Sequence, residues 1–157
     1  MATCLERLKA YFAEQGVEYK VFHHPTVYTA QELASELHTP GGTVAKVFMV
    51  EADGQPVMLV LSAPDRVNLT QVREVLGAKK VQKAAEAAFG KLFPDCDTGA
   101  MPPFGHFYDV PVWLDRSLVE APRIYFRAGT HRVTVALAGD DYRRLASPQV
   151  ADFAFQS

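Results

Sequence analysis

The stretch that decides the fold runs Val44-Ala45-Lys46-Val47-Phe48-Met49-Val50-Glu51-Ala52-Asp53-Gly54-Gln55-Pro56-Val57-Met58-Leu59-Val60-Leu61. Two apolar runs, Val44–Glu51 and Val57–Leu61, flank Asp53-Gly54, a dipeptide suited to the positive φ angles of a tight hairpin turn. The spacing predicts two adjacent antiparallel strands. Lys46 interrupts the first. Strand alternation places it on the face of Val44, Phe48 and Val50, with Val47 on the opposite one. An ammonium there needs an anion or water, or it loses its proton. A lysine that snorkels to the strand edge accounts for the same pattern.

Outward from this hairpin, Thr3 with Glu6 and Thr29 with Glu32 are capping boxes that open two helices, the first carrying Leu5, Leu8 and Phe12. Tyr19–His23 reads as a strand ended by His24-Pro25. Asn68 caps a helix stopped by Gly77. Lys79–Val81 reads as a short strand and Ala84–Phe89 as a small helix. Residues 93–111 hold four prolines (Pro94, Pro102, Pro103, Pro111) and two glycines (Gly99, Gly105), the composition of a long functional loop. Strands follow at Val110–Leu114, Arg123–Arg127 and Arg132–Leu137, then helices near Asp140–Leu145 and Pro148–Phe153. Helices and strands mix without strict alternation. The expectation is one α+β domain over residues 1–157 around a mixed, mostly antiparallel sheet.

With 157 residues the chain has room for a core. Sixteen basic against eighteen acidic residues give a net charge of −2, so no global positive field marks a nucleic-acid binder, and no DNA partner is expected. Charge is nevertheless local. Six basic residues between Arg66 and Lys91 (Lys79, Lys80 and Lys83 among them) face two acids, and a second basic group is Arg123, Arg127, Arg132, Arg143 and Arg144. Either a solvated surface or a polyanion patch fits these counts. No apolar run approaches a membrane span, and no basic-then-apolar leader opens the chain. Two cysteines make no disulfide framework, and a reducing cytoplasm is the expected location.

Among residues that carry chemistry, the segment Gly99-Ala100-Met101-Pro102-Pro103-Phe104-Gly105 is stiff and offers backbone N–H groups suited to polarising a carbonyl oxygen. It also reads as a plain surface loop. Cys96 with His106 or His131 would be a thiol nucleophile and its base. Five histidines (His23, His24, His38, His106, His131) show no metal-ligand spacing, and no metal or cofactor is expected. Val21, His24, Phe48, Met58 and Met101 are candidates to line a pocket.

Taken in order, the Thr29/Glu32-capped helix after His24-Pro25, Lys46 on the next strand, and Gly99 with Pro103 and Gly105 resemble the YbaK-type domain. This is the family of trans-editing aminoacyl-tRNA deacylases, also found within bacterial prolyl-tRNA synthetases. Leu92–Asp97 and Gly129-Thr130-His131 resemble one branch of its free-standing members, and the likeness spans roughly residues 3–153. The resemblance implies a curved mixed sheet surrounded by helices, a pocket for the aminoacylated 3′ end of tRNA and hydrolysis of a wrong ester. It implies that Lys46 engages substrate, that the backbone of Gly99 contacts the aminoacyl carbonyl, and that His131 matches a histidine some members need. It also implies that Thr29 faces the pocket and His24 belongs to its wall. Aminoacylated tRNA is the expected partner, with a synthetase as a further one. A non-catalytic module that binds tRNA ends or a synthetase is the alternative. Val47 departs from members that carry Asn or Thr after the lysine, which removes a clue to amino-acid preference.

Overall fold

The hairpin forms as its sequence dictates. In the computed structural model, which describes residues 3–156, strands β2 (Ala45–Ala52) and β3 (Gln55–Ser62) pair antiparallel from Ala45↔Ser62 to Ala52↔Gln55. The two-residue loop between them has Asp53 at φ 50° and Gly54 at φ 83°, the backbone twist that suits a right-handed hairpin. Asp53 then stitches the hairpin tip to the next segment: its carboxylate accepts from the N–H groups of Lys79 and Lys80.

Around this pair the chain adds β1 (Tyr19–His23), β4 (Asp65–Val67), β5 (Val81–Lys83), β6 (Val112–Asp115), β7 (Arg123–Arg127), β8 (Val133–Ala138), β9 (Gln149–Ala151) and β10 (Ala154–Gln156). They form a five-stranded sheet in the order β5-β2-β3-β6-β9, a three-stranded sheet β1-β8-β7 and the pair β10-β4. The β3–β6 and β6–β9 pairs are parallel; the other strand pairs are antiparallel. Among the described residues the two larger sheets meet at a single bridge, Val44 to Tyr125, just before Lys46 on one side and Arg127 on the other.

Both predicted capping boxes are present. Thr3 and Glu6 open helix α1 (Cys4–Gln15), and Thr29 and Glu32 open α2 (Ala30–Glu36). The main core gathers Leu8 and Phe12 of α1, Ala45 and Met49 of β2, and Phe104, Phe126 and Tyr142. The opposite face of β2 and β3 covers Val50, Leu59 and Leu61 with Val72 of α3 (Leu69–Leu76) and Phe153. A third, small cluster of Val27, Leu33, Ala34, Val44 and Ala63 lies beneath the sheet junction.

Three expectations change. Residues 148–153 are not helical. Asp115 accepts from the backbone N–H groups of Phe153 and Ala154, and β9 extends the sheet in parallel beside β6, so tertiary partners draw this segment into strands. Residues 100–105 are not a surface loop. Ala100 to Gly105 are buried, and Phe104 packs among Tyr11, Phe12, Phe107, Phe126 and Tyr142. The late basic residues form no single patch, since Arg127 is buried while Arg143 and Arg144 pair with Asp140 and Asp141. Residues 1, 2 and 157 of the expected domain lie outside the described residues.

Candidate active site

A cavity of about 150 Å³ opens where the two sheets diverge, lined by Tyr28, Leu33, Val44, Ala45, Lys46, Val47, Gly99, Met101 and Arg127. Larger depressions exist on the surface, but this one collects convergent polar groups over an apolar floor, the composition of a ligand site. It also brings Lys46 and Gly99 together from fifty-three positions apart in the chain.

Lys46 is half-buried rather than free in solvent. Its Nζ donates to the carbonyl oxygen of Asp65 at 2.5 Å. Burial pulls its pKa below the usual lysine value, opposed by the charge of Asp65 and reinforced by Arg66. An ammonium carries three donors, and Asp65 takes one.

Gly99 sits at φ +83°, a conformation that favours glycine, and is held from both sides. Asp97 N–H donates to Gly129 O at 2.7 Å, Gly129 N–H donates to Ala100 O at 2.8 Å, and His131 Nε2 donates to Thr98 O at 2.9 Å. Among the described residues, the N–H groups of Gly99 and Met101 donate to no protein acceptor. The loop therefore offers prearranged donors whose neighbours cannot swing away.

His131 points Nε2–H at a carbonyl, so the neutral ring carries an acceptor at Nδ1, and that atom is buried without a partner among the described residues. A Cβ built on Gly99 would lie 3.6 Å from His131 Cε1, so the ring is the loop's immediate neighbour.

Arg127 is not a surface cation, as its place in the late basic group suggests. Its guanidinium is buried and donates to the carbonyls of Val27 at 2.7 Å and Thr29 at 3.1 Å. Burial lowers its pKa, with Glu32 acting in the opposite sense. The available signal in the sequence is its place at the end of an otherwise apolar strand, Ile124-Tyr125-Phe126, two residues before Gly129. Tyr28 has no such signal, because nothing local separates an exposed aromatic at a rim from one in solvent.

The remaining sequence candidates separate into three groups. Met101 lines the cavity with Gly99. Thr29 is exposed, with its hydroxyl committed to the helix cap. His24 does not line the cavity: Nδ1 faces Pro25 O and Nε2 faces Thr134 Oγ1, so both ring nitrogens are engaged. Pro103 and Gly105 serve packing. Pro103 O accepts from Tyr142 Oη, and a Cβ at Gly105 would meet Val112 Cγ2 at 2.3 Å and Val110 O at 2.4 Å. Val21 and Met58 belong to the main core, and Phe48 packs on the second core. Lys79 and Lys80 lie beyond the hairpin tip, roughly 20 Å along β2 from Lys46, and Lys83 pairs with Val50 nearer to it.

Among the described residues one group of side chains has metal-ligand proximity: Cys4 Sγ, Cys96 Sγ and a carboxylate oxygen of Asp95 all lie within 4.8 Å of one another. Asp95 already accepts from Arg7 at 2.7 Å and Tyr108 at 2.9 Å. A hydrogen bond with Cys4, together with burial, pushes the Cys96 thiol far above its usual pKa, which disfavours the thiolate a nucleophile needs. No hydrogen bond joins Cys96 to His106 or His131 among the described residues, which leaves the thiol-nucleophile arrangement without its base.

The model of the aminoacyl-tRNA editing domain matches residues 24–145, and the chain belongs to that family, the class of aminoacyl-tRNA deacylases. It is 28% identical over 153 residues to the multifunctional Ser/Thr-tRNA deacylase ProXp-y of Escherichia coli K12, covering 94% of this chain and 91% of that one. A 60-residue stretch is 38% identical to part of the proline–tRNA ligase of Acidithiobacillus ferrooxidans, 38% of this chain and 10% of the ligase. The fold is shared with a solved structure described as a candidate trans-editing enzyme for prolyl tRNA synthetase, with TM-score 0.85, 22% identity and 99% coverage of each chain.

Proposed function

We propose that the chain hydrolyses the ester joining a small, wrongly attached amino acid to the 3′ end of tRNA, with no covalent enzyme intermediate. The observation that carries this reading is the lining of the cavity. Lys46, Arg127, Tyr28 and the Gly99 loop converge there, and among the described residues the lining holds no Ser, Thr, Cys, Asp or Glu to act as nucleophile.

An aminoacyl ester is already activated, so positioning supplies much of the rate. The N–H of Gly99 binds the carbonyl oxygen as charge develops on it. Lys46, with donors beyond the one Asp65 takes, pins the anionic or hydroxyl-rich end of the substrate as a point charge. His131 acts through Thr98 to keep Gly99 in place. Water attacks, organised by the ribose hydroxyl of the substrate, and the ester C–O bond breaks to give free amino acid and tRNA. The cavity is about half the lower size of drug-sized sites, so it accepts the aminoacyl group and not the nucleoside. The relative that acts on Ser/Thr-tRNA is consistent with a small residue.

Lys79, Lys80 and Lys83 meet the tRNA backbone away from the ester in this reading, and a synthetase is a further partner. Replacing all three with Gln is expected to weaken tRNA binding and to lower the salt slope of log K by about 0.7–0.9 for each phosphate no longer neutralised. An unchanged slope excludes these lysines from the interface. The decisive experiment is a deacylation screen across tRNAs mischarged with different amino acids, with Lys46→Ala as control. Catalytic release by the wild type and its loss in Lys46→Ala support the reading. Binding without turnover would make the domain a capture module, and unchanged turnover in Lys46→Ala would remove the lysine from the mechanism.

A further inference from the structure

The mouth of the cavity carries a feature that ester hydrolysis itself does not require. Tyr28 is 72% exposed, yet the backbone on either side of it is tied down. Arg127 donates to the carbonyls of Val27 and Thr29, the two flanking residues, and Val27 N–H donates to His131 O at 3.2 Å. Val27 is buried, and the Thr29–Glu32 capping box fixes the chain immediately beyond. The Tyr28 ring rests on the His131 ring at 5.0 Å between centroids and 50° between planes. His131 in turn lies against Gly99. A large aromatic ring is thus presented to solvent, on a rigid mount, at the edge of the groove that Gly99 opens.

Single exposed aromatics are ordinary on protein surfaces. A buried guanidinium holding both neighbours of one is not, because desolvating that charge is costly unless the geometry is useful. The small cavity also leaves a question of space. Once the aminoacyl group fills it, the nucleoside attached to the ester must lie outside, against the mouth. Unpaired bases at RNA ends are held by stacking on aromatic faces.

We infer that Tyr28, backed by His131 and positioned by Arg127, is a stacking subsite for the terminal adenine base of the aminoacylated tRNA. This rests on the deacylation reading above. Arg127 is a positioning residue: it holds carbonyls of the protein and sets the angle of the tyrosine.

The test uses the full chain and a tRNA whose terminal adenine is replaced by 2-aminopurine, a base whose fluorescence falls when it stacks. Wild type and Tyr28→Phe are expected to quench it, and Tyr28→Ala is not. In deacylation assays Tyr28→Ala is expected to raise KM roughly 5- to 150-fold, the range of one base–aromatic stack, while kcat stays within about twofold. Quenching that persists in Tyr28→Ala, or a loss confined to kcat, overturns the subsite. The two readings fail separately. Hydrolysis by wild type with quenching independent of Tyr28 sinks only the subsite. Tyr28-dependent quenching without any hydrolysis sinks only the deacylase mechanism.

Discussion

The polar clusters around Asp95 and at the sheet junction differ in whether their hydrogen-bonding capacity is used up. Around Asp95, Arg7 donates to the carboxylate and to Phe107 O while its guanidinium lies over the Phe107 and Tyr108 rings; Tyr108 Oη and the Cys96 thiol also donate to the carboxylate. Each member satisfies another. At the sheet junction, by contrast, Lys46 has one protein acceptor among the described residues, the Gly99 N–H has none, and His131 Nδ1 is buried without a partner. Buried polar groups are normally paired, so the unpartnered His131 Nδ1, beside an exposed loop N–H and a half-buried ammonium with donors to spare, marks where a ligand belongs. The Asp95 cluster holds three residues with metal-like or nucleophilic identities and is structural. The junction holds less conspicuous residues and is the candidate site. Residue type alone would rank them the other way.

The largest expected effect breaks the open cluster. Lys46→Ala is expected to lower kcat/KM for mischarged tRNA by roughly 100-fold or more, the scale of removing one prearranged electrostatic interaction. Its melting temperature should change little, since Asp65 O loses a half-buried donor and gains access to water. A steady-state assay beside thermal denaturation separates the two. A large drop in stability with activity preserved per folded molecule would place Lys46 in the closed class instead.

Next in size is a cut in the closed cluster. Asp95 is deprived of water by burial, which favours its neutral form, but the hydrogen bonds from Arg7, Tyr108 and Cys96 outweigh this and hold its pKa below the usual carboxylate value. The folded pKa is depressed, so the stabilisation is present above the unfolded pKa and is lost as pH falls through the folded one. Asp95→Asn is expected to cost about 1–3 kcal/mol near neutral pH. That difference from wild type should shrink on acidification. Urea denaturation across the acid range checks it, and a pH-independent difference would mean that packing, not charge, holds the cluster.

Some of this is legible in the amino-acid order and some is not, for reasons that differ by residue. The Asp53-Gly54 turn and the capping boxes at Thr3 and Thr29 are local devices, complete within four residues, and the structure contains them as written. Lys46 stands out because a charge breaks an apolar strand. Gly99 becomes meaningful only through the family resemblance, since its role depends on Gly129 and His131 some thirty residues later. Arg127 leaves only a faint signal at the end of an apolar strand, because the loop that buries it lies a hundred positions away, and Tyr28 leaves none, because it matters through the ring behind it. Residues 148–153 read as a helix because neither the Asp115 carboxylate that accepts from Phe153 N–H nor the parallel pairing of β9 with β6 leaves a local trace.

The smallest effect belongs to Cys96, the residue whose identity most invites a catalytic role. Its hydrogen bond with Cys4 and its burial both disfavour the thiolate, and the nearby Asp95 charge acts in the same direction. A nucleophilic cysteine needs the opposite surroundings, a cation or helix N-terminus that lowers its pKa. Removing the thiol leaves Asp95 with Arg7 and Tyr108 as partners, so no buried charge is orphaned. Cys96→Ala is therefore expected to keep deacylation within about twofold and to destabilise by less than about 1 kcal/mol, in keeping with removal of one weak donor. A collapse of turnover in this variant, at full folded content, would show that the closed cluster reaches into the reaction through the short segment between Cys96 and the Gly99 loop, and the division between the two clusters would no longer hold.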